Sequence, residues 1–75
     1  MLELEEVTAV TISVNSKEQT LEPESTVQSL LVKLGYAEKR VAVEVNQELV
    51  VKSQWHEVRL KSGDKVEIVS FVGGG

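Results

Sequence analysis

The residues of this sequence whose types and spacing could do chemistry are its last five, Phe71-Val72-Gly73-Gly74-Gly75, where an apolar pair gives way to three consecutive glycines. Glycine lacks a side chain, so such a run is slender, pliant and able to thread a narrow channel in another protein. If Gly75 is the terminus, its carboxylate is unhindered. It then suits activation as an acyl-adenylate by a separate enzyme, followed by attack of a sulfur nucleophile. The competing reading is a frayed end with no role. The run follows directly on a strand pattern with no tag after it, which favours a working terminus at Gly75, reached through Gly73 and Gly74 as the threading part. Phe71 and Val72 stand where the strand meets this tail. Exposed, they would form an apolar collar for a partner; buried, they would simply finish the sheet.

Other chemistry is poorly served. His56 is the only histidine, so a two-histidine metal site is impossible, and a lone histidine beside Trp55 reads as a loop residue rather than a base. Glu3, Glu5 and Glu6, like Glu22 and Glu24, alternate or cluster as solvated groups without a paired acid and base. The serines occupy turn and cap contexts rather than a nucleophile elbow. No helix follows the glycines, so they do not form a phosphate-cradling loop. The expectation is a domain with no catalytic residues, no metal and no bound cofactor.

The elements that must position the tail follow from periodicity. Residues 7–14 are rich in β-branched types, with Val10, Ile12 and Val14 on one face, and predict a first strand. Asn15-Ser16-Lys17 supplies turn chemistry before a return strand over 18–21. Pro23 breaks the pattern, and Val27, Leu30, Leu31 and Leu34 then fall at i, i+3, i+4 and i+7, the stripe of an amphipathic helix. Ser25 or Thr26 can cap it, Ser25 with Gln28 having capping-box spacing, and Gly35 stops it. Val41, Val43 and Val45 alternate in a third strand, Asn46-Gln47 reverses the chain into a strand over 48–51, and residues 53–60 are irregular, with Trp55, Val58 and Leu60 as core plugs. Ser62-Gly63-Asp64 turns the chain into a last strand over 65–72. One helix cannot cover both faces of a sheet of about five strands, so the expected fold is an α+β roll of β-grasp type. It forms a single domain over 1–75, with 1–6 a loose lead-in and 73–75 a flexible tail.

At 75 residues there is room for one modest core and little room for an active-site cleft. Twelve acidic against eight basic residues give a net charge of −4, with no basic segment interleaved with aromatics, which argues against nucleic acid and anionic membranes as partners. No cysteine is present, which excludes disulfides and thiol nucleophiles. No apolar run approaches a membrane span, and the start lacks signal-peptide character, so the cytoplasm is the expected compartment.

Taken in order, several segments resemble the ThiS sulfur-carrier family, whose fold is ubiquitin-like. These are Val14-Asn15, Thr26-Val27 with Leu30-Leu31 and Leu34-Gly35, Val41-Ala42-Val43-Glu44-Val45-Asn46, Lys52-Ser53-Gln54-Trp55, Leu60-Lys61, Gly63-Asp64-Lys65-Val66-Glu67-Ile68-Val69 and Val72-Gly73-Gly74-Gly75. The chain departs from the family in a longer acidic start and in Asn15-Ser16, where members often carry Asn-Gly. The resemblance implies a carrier rather than an enzyme. Gly75 would be adenylated by a ThiF-type enzyme that consumes ATP, then converted to a thiocarboxylate by a sulfur-transfer enzyme. It would be presented to a ThiG-type thiazole synthase for thiamine biosynthesis. The same fold also serves MoaD-like carriers for molybdopterin synthesis, ubiquitin-like modifiers, and interaction modules whose tail is inert.

Overall fold

The computed structural model describes residues 9–37 and 39–71. The lead-in expected over 1–6, Val72 and the tail expected over 73–75 lie outside the described residues. Two hairpins flank a helix: β1 (Val10–Val14) and β2 (Lys17–Leu21), then α1 (Val27–Leu34), then β3 (Val41–Val45) and β4 (Glu48–Val50). A 3-10 turn (Lys52–Gln54) and an irregular crossing lead to β5 (Lys65–Ser70). The strands form one five-stranded sheet in the order β2-β1-β5-β3-β4, with β5 parallel to β1 and antiparallel to β3. This is the expected β-grasp arrangement, with the strand nearest the chain's end at the centre of the sheet.

Each hairpin turns on two residues with positive φ, Asn15 (50°) with Ser16 (73°) and Asn46 (52°) with Gln47 (72°). Positive φ at both central positions is what a two-residue turn needs to match the twist of its strands, and asparagine tolerates it well. Both asparagines also reach β5. The Oδ1 of Asn15 accepts from the Ile68 N–H at 2.8 Å while its Nδ2 donates to the Ile68 carbonyl at 3.1 Å. On the other side, Asn46 Oδ1 accepts from the Lys65 N–H and its Nδ2 donates to Asp64 Oδ1, each at 2.9 Å.

Helix α1 begins at a capping box built from Thr26 and Ser29 rather than from Ser25 and Gln28. The Ser29 N–H donates to Thr26 Oγ1 at 3.1 Å, and the Thr26 N–H donates to Ser29 Oγ at 2.9 Å. The Ser25 hydroxyl instead donates to the Glu22 carbonyl at 2.6 Å, closing the preceding turn. The irregular crossing completes the cap: the Val58 and Trp55 carbonyls accept from the Val27 and Gln28 N–H groups, both at 3.0 Å. The orphan donors of the first turn are thereby satisfied by a segment without regular structure of its own. At the far end Gly35 takes φ 87°, and the bonds Gly35 N–H to Val32 and Tyr36 N–H to Leu31 form a Schellman closure.

The core lies between α1 and one face of the sheet. Val27, Leu30 and Leu31 of the helix meet Ile12, Val14, Val43, Val66 and Ile68 of the strands, with Trp55 and Leu60 filling the ends, while Leu34 and Val58 are partly buried. Trp55 is buried with its Nε1 donating to the Val50 carbonyl at 3.0 Å, so the largest core side chain carries no unmet donor. Full burial of an aliphatic side chain contributes about 1.5–3 kcal/mol, which makes this stripe the main stabilising feature of α1. The opposite face of the sheet is open, with Glu44 directly across from Glu67 and with Leu49 and Val69 exposed. No helix among the described residues is long and apolar enough to cross a membrane.

Candidate functional site

The site is built around the end of β5. Regular pairing with β3 closes at Val41 opposite Ser70, two residues short of the 65–72 strand expected from periodicity. One further bond holds the chain, in which the Phe71 N–H donates to the Arg40 carbonyl at 3.0 Å. Phe71 is 57% exposed. Of the two readings open for Phe71, the structure combines an anchored backbone with a free side chain: the residue is tied to the sheet yet presents its ring outward. Val72, Gly73, Gly74 and Gly75 lie outside the described residues.

Beside Phe71 lies a groove of about 460 Å³ lined by Lys39, Arg40, Val41, Lys52 and Trp55 among others. Lys52 Nζ stands 6.0 Å from the centroid of the Trp55 ring, at the outer edge of cation–π contact. Residues 39–40, 52–55 and 71 are far apart in the chain, and inspection of local motifs does not join them. Strand register joins two of them: β3 antiparallel to β5 puts Arg40, before Val41, beside Phe71, after Ser70.

The remaining sequence candidates stay apart from this site. His56 is exposed, with Nε2 at 3.6 Å from Glu57 Oε2. Among the described residues no group of three or more potential ligands could hold a metal ion, and no polar or charged residue is buried. A shifted acid or base needs burial or a close charged partner.

A five-stranded sheet in the order β2-β1-β5-β3-β4, packed on one helix, defines the β-grasp class of fold. The family model described as the ThiS family matches residues 4–75. The sulfur carrier protein ThiS of Bacillus subtilis is 48% identical over 50 residues, covering 67% of this chain and 76% of that one. A thiazole synthase of Paramagnetospirillum magneticum is 45% identical over 62 residues, 83% of this chain but 19% of its own length. A second thiazole synthase, from Magnetococcus marinus, shows the same relation at 38% identity and 20% of its length, so the chain spans about a fifth of these two relatives. The crystal structure of a thiamine biosynthesis protein (ThiS) from Geobacter metallireducens superposes with a TM-score of 0.74 at 33% identity, covering 88% of this chain and 100% of that one. The chain belongs to the ThiS family.

Proposed function

We propose that this chain is a sulfur carrier of thiamine biosynthesis that acts through Gly75. In this reading a ThiF-type enzyme joins the Gly75 carboxylate to the adenylyl group of ATP, releasing pyrophosphate. A sulfur-transfer enzyme then supplies the nucleophile that displaces AMP, and the resulting thiocarboxylate gives its sulfur to thiazole formation. The carrier holds and presents the acyl group, and its partners do the chemistry. Gly73 and Gly74 are the segment that enters their active sites, where even a methyl side chain would crowd a narrow channel. Phe71 and Val72 form the collar at the mouth.

The observation that carries this reading is the family match running through residue 75, together with an exposed Phe71 at the end of the central strand. That two thiazole synthases contain a stretch similar to this chain supports thiazole synthase as the acceptor. The test is intact mass measurement after incubation with a ThiF-type enzyme, ATP and a sulfur source. Replacement of one oxygen by sulfur at Gly75 is expected, with no change in a variant lacking Gly74 and Gly75. An unmodified wild-type chain alongside an enzyme shown to be active on another carrier overturns the reading. Transfer of labelled sulfur to a pterin, or an amide between the Gly75 acyl group and a lysine of another protein with the sulfur released, would redirect it to another route.

A further inference from the structure

We infer that the groove beside Phe71 is the docking site for an acidic, partly apolar segment of the protein that receives the tail. The inference rests on the carrier reading, because it states what surface that partner presents. The chain has twelve acidic and eight basic residues, yet among the described residues Lys39, Arg40 and Lys52 all line this one groove and no acidic residue does. The ion pair found among the described residues joins His56 to Glu57, so no described carboxylate neutralises these three cations. Glu38, their neighbour in sequence, lies outside the described residues. Val41, Trp55 and the exposed Phe71 line the same groove, so it combines apolar and aromatic surface with positive charge, as protein interfaces do.

A small anion is a poorer occupant. All three cations are exposed, no polar side chain among the described residues is buried, and the Trp55 N–H is already committed to the Val50 carbonyl. The groove thus offers no fixed donors to hold a phosphate, and solvated charges alone attract a free ion weakly. A protein segment adds contact with the Phe71 ring and the surface around it. Because the backbone of Phe71 is bonded to that of Arg40, the last described residue before the tail is itself part of this groove.

The first test does not depend on adenylation. Amide shifts of the isotopically labelled chain are followed by NMR as an acetylated peptide of glutamates and aspartates around a leucine is added to about 1 mM, with its lysine counterpart and AMP as comparison probes. The acidic peptide is expected to move Lys39, Arg40, Lys52, Phe71 and the Trp55 indole, and the effect is expected to fade as salt rises. In R40E/K52E, whose changes are on exposed side chains, the shifts should vanish while the unfolding midpoint stays unchanged. No groove shifts with the acidic peptide, equal shifts in R40E/K52E, or equal shifts with AMP each overturn the assignment. The second test is adenylation by a ThiF-type enzyme, where R40E/K52E should raise KM about tenfold with kcat little changed; an unchanged KM overturns the assignment. If the wild type binds the peptide at the groove but is never adenylated, the groove stands and the carrier reading falls.

Discussion

The side-chain amide of Asn15 pairs with the backbone of Ile68 as if it were a further strand residue, accepting from its N–H at 2.8 Å and donating to its carbonyl at 3.1 Å. The paired register of β1 with β5 ends at Val14 opposite Val66, so the amide extends that ladder toward the tail. Asn46 grips the start of β5 from the other hairpin. Each turn residue thus has two tasks, a left-handed backbone and a side-chain clasp. Replacing Asn15 by glycine separates them, since glycine adopts φ 50° easily but has no amide. Asn15→Gly is expected to lower the unfolding free energy by about 1–2 kcal/mol in urea denaturation. A midpoint equal to that of the wild type would show the clasp to be dispensable.

The helix cap makes a second comparison. Thr26→Ala removes the acceptor for the Ser29 N–H and should cost about 1 kcal/mol. Ser25→Ala removes only an exposed hydroxyl that donates to Glu22, and should cost less than half as much. Thermal unfolding of the two single variants checks the order, and a larger loss for Ser25→Ala would contradict the Thr26 box.

Glu44 and Glu67 face each other across β3 and β5 on the open side of the sheet, both exposed. Like charges directly opposite repel, so Glu67→Lys should stabilise the fold by about 0.2–1 kcal/mol, more at low ionic strength than at high. Denaturation at two salt concentrations reads this. A salt-independent change, or a loss of stability, would mean the pair is already well separated in solution.

Phe71 tests whether stability and presentation are separable. With Phe71 57% exposed, Phe71→Ala should change unfolding free energy by no more than about 0.5 kcal/mol. The rate of adenylation by a ThiF-type enzyme at low carrier concentration should nevertheless fall several-fold. Equal rates for variant and wild type would remove Phe71 from the partner surface.

Much of the architecture was legible because it rests on local rules. Alternating valines in β3 and the four-residue stripe of α1 have one periodicity each, and Asn15 and Asn46 have the chemistry of tight turns. What escaped is non-local. Ser25 and Thr26 are equivalent cap candidates until the 55–58 crossing supplies carbonyls to Val27 and Gln28, which settles the helix start at Thr26. Periodicity carries β5 past its end because Phe71 keeps the apolar character of a strand, whereas pairing stops where β3 begins at Val41. The second task of each asparagine depends on a strand distant in sequence, 19 residues on for Asn46 and 53 for Asn15. The same holds for Arg40, which meets Phe71 only once the register of β3 against β5 is known.

The central placement of β5 also has a mechanical consequence. Tension applied at Phe71 runs along β5 and loads the hydrogen bonds to β1 and β3 together, in shear, with the Asn15 amide adding two more rungs on one side. Ladders stretched lengthwise share the force, unlike an edge strand peeled away one bond at a time. A machine hauling on this end would drag the whole domain along before it drew the strand out.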